Sequence, residues 1–275
     1  AADLEYVKDK ALDFHKTQVL KDAIVRSAQI LERDGDVEEI KLLVDDAMKA
    51  GTERNLGHDY LEDFEERYSE TARITTPTPW DIINELMQGG LGQGELGVVV
   101  APAGIGKSWV LSAMGAYAIS QGKNVVHYTL ELNESYVGLR YDSIFSGVEG
   151  QNLMYHKEEV LEKVEQIKGD LTIKYYPTRS CTVNTLSAHI KKATSFGAEV
   201  DMILVDYADI MRDVGKSTEM RHQLGNIYED LRGLAGEMQI PIWTASQANR
   251  SALDEDVIDA SKVAESYAKV MTADF

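Results

Sequence analysis

Gly94-Glu-Leu-Gly-Val-Val-Val-Ala-Pro-Ala-Gly-Ile-Gly-Lys-Ser-Trp109 places a strand, a glycine-bearing turn and a helix in immediate succession. Val98, Val99 and Val100 form a continuous β-branched run, as expected of a strand covered on both faces. Beyond Lys107, the residues Val110, Leu111, Met114, Tyr117 and Ala118 recur at helical spacing on one face. Between the two lie Gly104, Gly106, Lys107 and Ser108, the order a phosphate-binding loop requires. Glycines let backbone amides turn inward around an anion. A helix beginning at Lys107 aims its free amides and positive dipole end at the same place. In this reading Ala103, Gly104, Ile105, Gly106, Lys107, Ser108 and Trp109 bind ATP. Lys107 reaches the terminal phosphates and the Ser108 hydroxyl ligates Mg2+. The strict pattern G-x-x-x-x-G-K-[ST] is missed at one position, where Ala101 replaces the first glycine. An ordinary glycine-rich β-α turn would not explain Lys-Ser at the helix start.

Downstream, β and α patterns alternate. Val125–Leu130, Leu171–Tyr175, Met202–Val205 and Pro241–Ala245 read as strands. Glu134–Phe145, Thr182–Phe196 and Glu219–Met238 read as helices. Such alternation predicts a mainly parallel sheet with right-handed crossovers, and ligands at the carboxyl ends of its strands. Three strand ends carry suitable polar groups. Asp206 follows Met202–Val205 and suits a magnesium-holding carboxylate. Glu131 follows Val125–Leu130 and can activate the water that attacks the γ-phosphate. Gln247 follows Ile242–Ser246 and can sense that phosphate through its amide. Each also has a plain alternative, as a strand-terminal, capping or surface residue. Arg140 and Arg250 are basic groups near the same edge, alternatively ordinary ion-pair partners. Cys181 and Ser180 have no histidine placed near them by any motif, so nucleophilic catalysis is disfavoured.

The N-terminal part differs in kind. Leu4 to Leu31 read as one or two helices, with Leu20, Ile24, Ala28 and Leu31 forming a stripe. Gly35 and Asp36 interrupt, and Val37, Ile40, Val44 and Ala47 mark another helix closed by Gly51. The stripes suit either a small helical module or an oligomerisation face. His58–Tyr68 is an acidic, aromatic-bearing helical stretch with no second histidine or cysteine at ligand spacing to His58. Thr75-Thr-Pro-Thr-Pro79 reads as a linker. The expected organisation is therefore a helical region over 1–72 and an ATPase domain over 73–275.

The chain has 275 residues, 44% of them hydrophobic and 27% charged, enough to bury a sizeable core. Its single cysteine excludes an intrachain disulfide and suits a reducing cytoplasm. No apolar run approaches ~18 residues, so no membrane span is expected. The net charge of −18 argues against broad, non-specific phosphate binding, though not against a narrow channel lined by a few basic groups.

Taken in order, these motifs resemble the DnaB family of replicative helicases, and among them the bacteriophage members. The matching residues are Gly89–Leu96 leading into the loop, Thr129-Leu-Glu-Leu132 followed by Arg140, and Val205-Asp-Tyr207. Ser246-Gln-Ala-Asn-Arg250, Ala264-Glu-Ser266 and Ala273-Asp274 continue the series. The likeness covers roughly residues 75–275, and the family tolerates alanine at the first loop position. It implies a RecA-like P-loop ATPase core preceded by a small all-α region, and ATP with Mg2+. It further implies a hexameric ring on single-stranded DNA, with a primase and a helicase loader as partners, in the cytoplasm of a bacterial host if the chain is phage-encoded. By position, Arg212 to Arg221, with Lys216 prominent, and Asp259 to Lys269 would face the DNA. Where many members carry arginine before Glu-Ser, this chain has Ala264. Lys262 or Lys269, with backbone near Glu265, Ser266 and Tyr267, would then grip the phosphates. The resemblance also puts a further strand, and the family's trans-acting arginine, past Phe275. Alternatives are a RecA-like recombinase, a clock-type ATPase, or a nucleotide-gated scaffold or loader.

Overall fold

In the computed structural model, residues 2–33, 60–61, 64–69, 73–215, 219–248 and 268–275 are described, together with helical positions at 40, 43–44 and 47. The chain divides into two compact units, Ala1–Ala72 and Arg73–Phe275. The first contains α1 (Ala2–Glu32) and α2 (Phe64–Ser69). The N-terminal segment is thus one continuous helix. Its buried positions among the described side chains are Ala23 and Ser27, whereas Ile24 and Leu31 of the expected stripe are 56% and 59% exposed. The expected helix around Val37–Ala47, and His58 with its neighbours, lie largely or wholly outside the described residues.

The second unit is built on a five-stranded sheet whose described pairs are all parallel. Its strands are β3 (Leu96–Ala101), β4 (Val125–Thr129), β5 (Leu171–Tyr175), β6 (Met202–Asp206) and β7 (Ile242–Gln247), in spatial order β3-β7-β6-β4-β5. A separate two-stranded antiparallel ladder joins β1 (Thr75–Thr76) to β2 (Leu91–Gly92), with α3 (Asp81–Leu86) between them. The Thr75–Pro79 stretch is therefore not a free linker. Proline biases its predecessor toward extended backbone, which serves a strand as well as a linker, and Thr78 and Asn84 then exchange hydrogen bonds across the turn.

Alternation along the strands separates two cores. Val126, Tyr128, Ile203 and Val205 point to one face, toward α7 (Val183–Ser195) and α8 (Met220–Met238). Val125, Met202, Leu204 and Trp243 point to the other, toward α4 (Lys107–Ser120) and α5 (Glu134–Ser146). Full burial of one large apolar side chain contributes about 1.5–3 kcal/mol, so these two faces fix the layers more firmly than helix propensity does. A helix α6 (Lys157–Val164) packs beside α5, and α9 (Ala268–Thr272) packs on α8. The last residues run along β3: Asp274 N–H donates to Leu96 O, and Val98 N–H donates to Phe275 O at 2.8 Å. No helix among the described residues is long and apolar enough to cross a membrane.

Candidate nucleotide site

Sheet register assembles the site. Ala101, at the end of β3, pairs with Gln247 at the end of β7, and Thr129 of β4 pairs with Asp206 of β6. All four strands run the same way, so the loop after β3, Glu131, Asp206 and Gln247 meet along one edge. A cavity of about 380 Å3 opens there, lined by Ala103, Gly104, Gly106, Lys107, Ser108, Trp109, Glu131, Leu132, Arg140, Tyr207 and Gln247.

The loop's glycines are required by backbone conformation, not by crowding. Gly104 and Gly106 have φ of +81° and +104°, while a Cβ built on either meets no atom closer than 4.0 Å. Gly106 is the N-cap of α4, so the first amides of that helix are presented to the cavity end of the sheet. Lys107 folds back over the loop, donating to Ala101 O at 3.2 Å and Pro102 O at 3.1 Å. Its ammonium stands 5.8 Å from the Tyr207 ring centre. Burial pushes the Lys107 pKa below its ordinary value, against the opposing pull of the Asp209, Asp206 and Glu131 carboxylates.

The Ser108 hydroxyl donates to Asp206 Oδ1 at 3.1 Å. Burial raises the Asp206 pKa, with Ser108, Arg140 and Lys107 acting in the other direction. Among the described residues no three His, Cys, Asp or Glu side chains cluster as a metal cage. Adjacent hydroxyl and carboxylate oxygens at a phosphate loop are nonetheless the donor set that fits Mg2+, which takes one or two protein oxygens and completes its shell with phosphate and water. Arg140 lies 4.0 Å from Asp206 Oδ2, and its guanidinium carbon lies 5.5 Å from the Trp109 ring centre. Its buried Nη1 makes no hydrogen bond among the described residues, which leaves a donor at the cavity wall.

Glu131 is exposed on the turn after β4. That turn is set by Thr129, whose Oγ1 donates to Leu132 O at 2.7 Å and accepts from Leu132 N–H at 3.2 Å. The turn so formed places the Glu131 carboxylate in the cavity lining. Of the nucleotide residues expected from sequence, Ile105 does not line the cavity; its side chain is 63% exposed. Arg250 lies outside the described residues. Tyr207 and Leu132 line the cavity although sequence reading gave them no role.

Of the residues expected to contact DNA, Arg212 and Arg221 are exposed, while Lys216, Lys262, Glu265, Ser266 and Tyr267 lie outside the described residues. Lys269 corrects an expectation. It is 1% exposed and pairs with Asp209 at 2.8 Å, so it cannot grip a phosphate from the surface.

Comparison with known proteins follows the same line. The profile of the DnaB-like helicase C terminal domain family matches residues 77–259. The chain is 30% identical over 262 residues to the DnaB-like replicative helicase of Enterobacteria phage T4, covering 87% of this chain and 54% of that one. It is 26% identical over 279 residues to the replicative DNA helicase DnaB of Geobacillus stearothermophilus, covering 91% and 59% respectively. It therefore spans little more than half the length of these relatives. Among solved structures, a DnaB-like replicative helicase described with its interactions with primase superimposes with a TM-score of 0.67 at 14% identity, over 92% of this chain and 64% of that one.

Proposed function

Because the chain belongs to the DnaB-like helicase C-terminal domain family, we propose that it is the ATP-driven motor of a replicative helicase, moving on single-stranded DNA as a ring and separating the duplex. The observation that carries this reading is the convergence of Lys107, Ser108, Glu131, Arg140 and Gln247 on one strand-end cavity, with Asp206 beside Ser108. Loop amides and Lys107 would hold the β- and γ-phosphates. Ser108 and Asp206 would hold Mg2+, which neutralises phosphate charge when bound. Glu131 would orient and deprotonate the attacking water. Gln247 would distinguish ATP from ADP, and Arg140 and Trp109 would flank the bound nucleotide. Arg250, with Lys216, Lys262 and the backbone near Glu265, Ser266 and Tyr267, completes the proposed nucleotide and DNA contacts.

Single-stranded DNA, further copies of the chain, a primase and a loader are the partners this reading assigns, with a helical region over 1–72 preceding the ATPase domain over 73–275. The phage and bacterial relatives support a place of action in the bacterial cytoplasm. The test is strand displacement on a forked duplex by the full-length protein, with Lys107→Ala beside it. ATP-dependent displacement that the substitution abolishes is expected. Nucleotide-dependent DNA binding without displacement would favour a loader or scaffold, and filament formation with strand exchange would favour a recombinase.

A further inference from the structure

Asp209 lies in the 3-10 turn Ala208–Ile210, just past Asp206, and takes no part in the chemistry above. Its carboxylate nevertheless accepts hydrogen bonds from four residues. Oδ1 accepts from Lys269 Nζ at 2.8 Å and from the Tyr228 hydroxyl at 2.7 Å. Oδ2 accepts from the Gln247 backbone N–H at 3.1 Å and from the Ser246 hydroxyl at 3.2 Å. Lys269 Nζ also donates to Ser246 Oγ at 3.2 Å and stands 5.5 Å from the Tyr228 ring centre. The two charged side chains are 1% and 13% exposed.

Burying an ion pair so completely is a poor way to gain stability, since apolar residues of similar volume commonly do as well. Its geometry indicates a different use. Gln247 is the last residue of β7; on the β3 side the ladder runs on to Ala248, but on the β6 side it has already ended at Thr244, and the Gln247 side chain lines the nucleotide cavity. Its N–H on Asp209 adds a hold on that open side to the β3 pairing, and the two together set the direction in which its side chain leaves the backbone. The same carboxylate holds Lys269, so β7 and α9 are tied to one anion.

We propose that Asp209 and Lys269 are positioning residues for the nucleotide site: their ion pair helps to aim Gln247 at the terminal phosphate and couples it to α9. This rests on the nucleotide reading given above. The test compares affinities for a fluorescent non-hydrolysable ATP analogue and fluorescent ADP in wild type, Gln247→Ala, Lys269→Met and the double variant. Gln247→Ala should lower the triphosphate preference about 10-fold, the scale of one hydrogen bond to a charged group. Lys269→Met should lower it similarly, leave ADP affinity unchanged, and add nothing in the Gln247→Ala background. A structural role would weaken both nucleotides in parallel, and a direct charge effect would persist in the double variant; either result overturns the proposal. If Lys269→Met does not fold, Asp209→Leu combined with Lys269→Met buries no lone charge, leaves the Gln247 N–H without its side-chain acceptor, and should show the same lost preference. Wild-type preference in that protein also overturns it. A wild type that binds neither nucleotide refutes the nucleotide reading itself and the positioning role with it, a failure visible before any variant is made.

Discussion

Asp206 and Glu131 end neighbouring strands yet meet different surroundings, and those surroundings separate their roles. Asp206 is buried, and burial lifts its pKa above the ordinary carboxylate value. Only the ionised form ligates Mg2+, so protons compete earlier than usual as pH falls. Magnesium-dependent nucleotide affinity should therefore begin to decline while the pH is still above the ordinary carboxylate range. Magnesium titrations at stepped pH check this, and a flat response down to that range would contradict it. Glu131 is exposed at the cavity mouth. Glu131→Gln should bind nucleotide normally and hydrolyse it at least ~100-fold more slowly, the scale of losing a general base; near-normal turnover would move the base elsewhere. Glu131, Asp206 and Gln247 were legible in sequence because each ends an apolar run, and the strand period shows where such a run stops. Lys269 was not. Its place in the motif series put it at the DNA phosphates, and Asp209, the partner that holds it inside, is 60 positions away.

At the scale of elements, every strand of the main sheet and the long helices that cover it could be read from periodicity, because each has a face that must be buried; α1 is a helix as expected, but Ile24 and Leu31 of its expected stripe are exposed. The short pieces could not. The β1–β2 ladder, α3 and α6 are too brief to carry a period, and their neighbours in space hold them. The position of α4 depends on a residue that no period reveals. A Cβ at Gly115 would press on the Tyr141 hydroxyl and come 2.8 Å from Leu204 Cδ1. Both neighbours are buried in the core, Tyr141 also donating or accepting at His127 Nδ1 at 2.9 Å. Gly115→Val should therefore push α4 off the sheet and cost about 1–3 kcal/mol by overpacking, measurable by urea unfolding. Since α4 begins at Lys107, nucleotide affinity should fall in the same variant even where it remains folded. Unchanged affinity and stability would show that the helix has slack the packing does not suggest.

For the whole molecule, the net charge of −18 sets the terms on which a polyanion can approach. If the proposed DNA contacts hold, they are few, and the slope of log affinity against log salt should correspond to roughly one or two phosphates per subunit. Lys216→Ala should reduce that slope, and an unchanged slope would remove the Arg212–Arg221 segment from the contact. The sheet order has a consequence of another kind. The strand that opens the phosphate loop pairs in the five-stranded sheet only with β7, Leu96 opposite Ile242. During synthesis at ~5–20 residues per second, that partner, 242 − 96 = 146 residues further on, emerges roughly 7 to 30 seconds later. Through that interval Val98, Val99 and Val100 form a bare, β-branched ribbon with open hydrogen-bonding groups on either side, the kind of segment that pairs with strangers. The nascent chain thus exposes a segment open to aggregation at the place where the finished protein would do its chemistry.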